Sequence, residues 1–110
     1  MGLRKDRMSD EIRDLIASCF TGGQMSDPRL ENVTITAVKL TPDLQLAYVY
    51  YRPMVGADTE RCQRGLESAA GFLRKMLADT LEVRRVPNLK FFYDESIEKG
   101  SRIEELLTKV

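Results

Sequence analysis

The chain has 110 residues, with 17 basic and 17 acidic side chains, no histidine, no tryptophan and two cysteines. One compact domain over residues 1–110 fits that length, and 43% apolar with 31% charged residues is the balance of a soluble globular chain. The absence of histidine excludes Ser-His and Cys-His catalytic pairs. Cys19 and Cys62 lie far apart and outside any C-x-x-C pair, so no metal site is expected.

The first element reads as a helix. Met8, Ile12, Leu15, Ile16, Cys19 and Phe20 recur on one apolar face, Asp10 and Glu11 are placed in the first turn, and Gly22-Gly23 ends it. Asp27-Pro28 forms a turn, and residues 33–40, rich in β-branched side chains, read as a strand. Pro42 sits at the second position of a turn over 41–44, so residues 45–51 return as the other arm of a hairpin. Helical periodicity resumes over 58–81, with Cys62, Leu66, Leu73, Met76 and Leu77 on the stripe. Ala69-Ala70-Gly71 interrupts it and permits either a kink or a close approach of another backbone. Residues 89–93 form a third strand. In the segment 94–110, Ser101 and Glu104 make a capping box ahead of a short apolar stripe.

A three-stranded sheet with helices on one face satisfies these elements. Its core face is expected to combine Ile35, Ala47, Val49, Leu89 and Phe91. Thr34, Thr36, Tyr48, Tyr50, Lys90 and Phe92 then point the other way, which makes the second face partly aromatic. Each cysteine falls on a helix's apolar stripe, the position of a reduced core thiol. No apolar run is long enough to span a bilayer, and the N-terminus has no apolar targeting segment. Asp6 stands where a myristoylation signal needs Ser or Thr, so a cytoplasmic protein without a membrane partner is expected.

Zero net charge conceals a gradient. Residues 60–93 hold seven cations (Arg61, Arg64, Arg74, Lys75, Arg84, Arg85, Lys90) against four carboxylates, a balance of +3, whereas 94–110 hold three against five, or −2. A basic helix stripe followed by an arginine pair suits phosphate oxygens, although the same pattern describes an ordinary solvated helix face.

Four segments, in order and spacing, carry a likeness. They are Arg4, Arg7, Met8 and Ile12; Asp27-Pro28-Arg29-Leu30 leading into Val33-Thr34-Ile35-Thr36; Asp43-Leu44 with Ala47, Val49 and Tyr50; and Ala69-Ala70-Gly71-Phe72-Leu73-Arg74. Arg85-Val86-Pro87, Tyr93-Asp94-Glu95-Ser96 and Arg102-Ile103 extend it. Along nearly its whole length the chain resembles the bacterial ribosome-binding factor A family. The resemblance implies an α+β, type II KH-like domain, a mixed three-stranded sheet with helices on one face, in the order α-β-β-α(kink)α-β-α. It also implies that Ala69, Ala70 and Gly71 form a helix kink in place of the GXXG loop with which KH domains clamp a strand, and no two glycines here are three apart.

The function implied is that of a non-enzymatic assembly factor without cofactor, cytoplasmic and monomeric, which binds ribosomal RNA on the immature small subunit. It would promote late maturation and 5′-end processing of that RNA, with other assembly factors as further partners. Arg74, Lys75, Arg84, Arg85 and Lys90 would meet phosphates, with Arg4, Lys5 and Arg7 contributing from the N-terminus. Glu82, where members often carry a basic residue, weakens the local field. Longer members continue past position 110, so any function of such a tail is expected to be absent or supplied elsewhere. A competing reading is a protein-interaction module using the sheet edge or the Tyr48, Tyr50 and Phe92 face, and a variation has those aromatics stack on bases. Asp94, Glu95 and Glu98 could be read as a Mg²⁺ cluster, but the same spacing suits an acidic first turn better.

Overall fold

The computed structural model describes residues 2–22 and 25–95. The helix expected within 94–110 lies outside them except for Asp94 and Glu95. The elements are helix α1 (Gly2–Thr21), a single 3-10 turn (Pro28–Leu30), strands β1 (Thr34–Leu40) and β2 (Leu46–Arg52), helix α2 (Thr59–Thr80) and strand β3 (Asn88–Tyr93). Central β2 pairs antiparallel with β1 and parallel with β3, giving the mixed three-stranded sheet of an α+β fold. Both helices bury their stripes against one face of it.

The apolar stripe of α1 holds: Ile12, Ile16 and Cys19 are buried, with Met8, Leu15 and Phe20 packed beside them. The helix starts earlier than its periodicity suggests, so Asp10 and Glu11 sit in mid-helix and its first turn carries no acid. Helix α2 begins at Asp58, whose carboxylate accepts the amides of Glu60 and Arg61. It buries Cys62, Leu66, Leu73 and Leu77. Both cysteines are free thiols, and burial pushes each up, which keeps them neutral at pH 7.

Ala69, Ala70 and Gly71 lie inside one continuous α2 and do not divide it into two elements. Ala69 and Ala70 pack against the core, but a Cβ added at Gly71 would meet nothing within 4 Å. The close approach allowed for this triplet occurs instead at Gly65, and it is made by side-chain carbons of the 3-10 turn. A Cβ there would sit 3.0 Å from Leu30 Cδ2 and 3.1 Å from Arg29 Cβ. Gly71→Ala is accordingly expected to raise stability by about 0.5–1 kcal/mol, read as a higher urea midpoint at unchanged slope.

The segment pressed onto Gly65 is Asp27-Pro28-Arg29-Leu30. Pro28 opens the turn, and Asp27 accepts the Arg29 amide at 2.9 Å and the Arg29 guanidinium at 2.7 Å. That pairing with Arg29 holds the Asp27 carboxyl below the usual carboxylate range. Leu30, 3% exposed, is thereby aimed into the core beside α2.

In β2 the alternation is regular: Ala47, Val49 and Tyr51 are wholly buried, while Tyr48 and Tyr50 are half-buried on the opposite face. Phe91 is buried and Leu89 half-buried, as expected. In β1 the register shifts between Ile35 and Ala37, so that Ile35, Val38 and Leu40 face inward. The extra residue of this bulge is Thr36, whose hydroxyl donates to Asp94. The hairpin turn closes through the Leu44 amide on the Thr41 carbonyl, 2.8 Å. Leu44 takes φ 61°, a left-handed conformation costing an L residue roughly 1–2 kcal/mol.

Candidate nucleic-acid interface

Four elements converge on one open groove of about 1270 Å³. Helix α1 supplies Arg7, the hairpin turn supplies Asp43 and Leu44, the second half of α2 supplies Gly71, Arg74 and Lys75, and the loop between α2 and β3 supplies Glu82, Arg84 and Arg85. Five of the eight expected cations therefore share one surface. With Glu11, Asp43 and Glu82 also lining it, the walls carry five positive and three negative charges, a balance of +2.

The cations are not equivalent. Arg7, Lys75, Arg84 and Arg85 are exposed. Arg74 is exposed too, but it donates through Nε to the Pro87 carbonyl and through a terminal nitrogen to the Val86 carbonyl, both at 3.3 Å. It ties α2 to the loop and sets where Arg84 and Arg85 stand, so it is a scaffold of the groove as well as part of its wall. The Thr41 hydroxyl and the Gln45 amide hold the Asp43 carboxyl below its usual range. One rim of the groove is thus ionised at neutral pH and disfavours a phosphate directly beside it.

The other expected site residues lie elsewhere. Lys5 is half-buried on α1 and does not line the groove. Arg4 is helical, and its side chain lies outside the described residues. Lys90 sits on β3 opposite Tyr48, away from the groove. Asp43 and Leu44 are additions to the expected site; their neighbourhood with α2 comes from the hairpin's placement, for which the sequence offers only the Asp43-Leu44 likeness. Glu98 lies outside the described residues, and among the described ones no cluster of three or more metal-ligating side chains occurs. No described helix is long and apolar enough to cross a membrane.

A protein-family model described as ribosome-binding factor A matches residues 4–107. A relative of that name from Geotalea daltonii is 38% identical over 109 residues, which cover 97% of this chain and 87% of its own. The crystal structure of ribosome-binding factor A from Thermus thermophilus superposes with a TM-score of 0.74 at 28% identity, over 81% of this chain and 93% of that one. A homology model of the Thermus thermophilus protein, fitted into a cryo-electron-microscopy map of a 30S complex, superposes with a TM-score of 0.66 at 28% identity, over 79% and 91%. Motif order, sheet topology and a match spanning nearly every residue agree, and the chain belongs to the ribosome-binding factor A family.

Proposed function

We propose that this protein binds the small ribosomal subunit through its ribosomal RNA, with the basic groove as the contact, and promotes late maturation, including processing at the RNA's 5′ end. It does so as a cytoplasmic monomer without cofactor or catalysis of its own. The observation that carries the reading is the convergence of Arg7, Arg74, Lys75, Arg84 and Arg85 on one groove. The 30S complex of the Thermus thermophilus relative supports the choice of partner.

The chemistry follows from the wall. Exposed guanidinium and ammonium groups displace counterions from phosphates, which supplies affinity without reading bases. Arginine forks at 84 and 85 can each take two phosphate oxygens. Gly71 leaves the α2 side of the groove open, since no atom stands within 4 Å of where its Cβ would be. Because Gly71 lies inside a continuous helix, it offers a phosphate close access but not the free main-chain amides of a GXXG loop.

The test is cosedimentation with small subunits purified from cells lacking the protein. Lys75→Glu/Arg84→Glu/Arg85→Glu, which spares the Arg74 tie, is expected to bind at least about tenfold more weakly. The slope of log affinity against log salt should fall by about 0.7–0.9 for each lost phosphate contact. Arg74→Glu should add loosening of the 82–87 loop, visible as faster amide exchange there. A folded triple variant that cosediments as the parent does would remove the groove from the interface.

A further inference from the structure

The sheet face turned away from the helices is a second, chemically different surface. Register places Lys39, Tyr48 and Lys90 in one row across β1, β2 and β3, and Ala37, Tyr50 and Phe92 in the next. The Phe92 ring, 42% exposed, meets Tyr48 edge to face at 5.5 Å and Tyr50 at 5.8 Å. The Lys39 ammonium lies over the Tyr50 ring, 5.7 Å from its centroid. Tyr50 is therefore engaged, whereas Tyr48 and Phe92 provide the aromatic surface.

Among the described residues the strands themselves bring only cations to this face, with carboxylates confined to its margin, where Glu67 of α2 lines a small pocket with Lys90 and Phe92. The three strands contain Lys39, Arg52 and Lys90 and no carboxylate. The nearest acid along β3, Asp94, follows the strand and is taken by the Thr36 hydroxyl at the end of the sheet. Lys39 and Lys90 stand on the outer strands, two inter-strand spacings or roughly 10 Å apart, with Tyr48 between them. Planar rings between flanking cations match a ligand whose flat groups alternate with anions.

We propose that the Tyr48 and Phe92 face is a stacking site for unpaired bases of single-stranded RNA, with Lys39 and Lys90 taking the flanking phosphates. A duplex hides its base faces, so the site selects unpaired segments, and because every base has a π-face it reads little sequence. The proposal rests on the ribosomal reading only for the identity of the polyanion. It adds to the groove a contact that depends on base exposure rather than on phosphate alone.

The experiment is direct binding of the full chain to a labelled 12-nucleotide unstructured RNA and to a duplex of equal length, over a salt series. Two variants are needed. Tyr48→Leu/Phe92→Leu keeps apolar cover over the sheet while removing the rings, and Lys39→Gln/Lys90→Gln keeps the rings while removing the charge. The leucine variant is expected to lose about fivefold or more in single-strand affinity, the smallest effect of one lost stacked base, with its salt slope and duplex affinity unchanged. The glutamine variant should lower the single-strand salt slope by about 0.7 for each phosphate released. The proposal is overturned if the folded leucine variant binds the single strand within twofold of the parent. Equal losses on single strand and duplex also overturn it, as does normal RNA binding combined with loss of a protein retained by the parent. These outcomes are independent of the groove test, because a groove variant that cosediments normally would refute the proposed interface while leaving the single-strand comparison to decide the sheet.

Discussion

Tyr51→Ala is expected to destabilise the protein by about 3–5 kcal/mol, the cost of emptying a large aromatic site in a packed core. Tyr51 is wholly buried in the middle layer between sheet and helices. Its hydroxyl donates to Gln63 Oε1 on α2, and Gln63 Nε2 in turn donates to the Phe91 carbonyl at 2.9 Å. Tyr51, through Gln63, thus links β2 to α2 and β3. Removing it leaves a cavity and an acceptor without its donor, in a domain whose total stability should be about 5–15 kcal/mol. Urea unfolding would show it as a large drop in midpoint.

The same residue carries a pH signature. Burial, then the nearby Cys62, Glu67 and Tyr93, push its phenol up to about 12, against about 10 in an unfolded chain. The folded state keeps a proton that the unfolded state loses, so this contribution is complete below pH 10 and disappears as pH rises toward 12. Tyr51→Phe keeps the ring and cannot ionise. It should start less stable at neutral pH, by about 1 kcal/mol for the lost hydrogen bond, and fall less steeply than the parent between pH 10 and 12. Parallel curves for the two proteins would refute the buried phenol as the source.

Gly65→Leu should cost about 2–3 kcal/mol by overpacking. With Leu30 Cδ2 already 3.0 Å from where a Cβ would sit, a branched side chain has no room unless the 3-10 turn lifts away from α2. That movement would drag the Asp27–Arg29 pair and expose Leu30. Calorimetry on Gly65→Leu beside Gly71→Ala makes the contrast sharp: two glycines six positions apart in one helix, with opposite effects.

That contrast shows what a sequence can and cannot disclose. Periodicity identifies the stripes of α1 and α2, because burying an amphipathic face is a local property of spacing. It points to Ala69-Ala70-Gly71 as the tight place, since small residues cluster there. The true contact at Gly65 depends on where the Asp27-Pro28-Arg29-Leu30 turn docks, which no local pattern encodes. In β1, alternation from Ile35 would turn Lys39 inward, and a single bulged Thr36 reverses it. Proximity in the chain groups Lys90 with Arg84 and Arg85, yet a bend and one strand register carry it to a different surface. Charge type is legible in the sequence, but the fold decides which charges act together.

The parallel pairing of β2 with β3 has a consequence for how the protein comes into being. The β1–β2 hairpin is a local structure and can close as soon as both arms exist, whereas β3 must wait for all of α2 to be made and folded back. Until Asn88–Tyr93 docks, one edge of β2 is unpaired, and Tyr51 lacks the Tyr93 ring that meets it edge to face. Synthesis from the N-terminus therefore leaves a late interval in which the nascent chain is open to misassociation at that edge. Lys90 and Phe92 join Lys39 and Tyr48 only when that interval ends, so a chain released before β3 docks would have neither a closed core nor a complete outer sheet face.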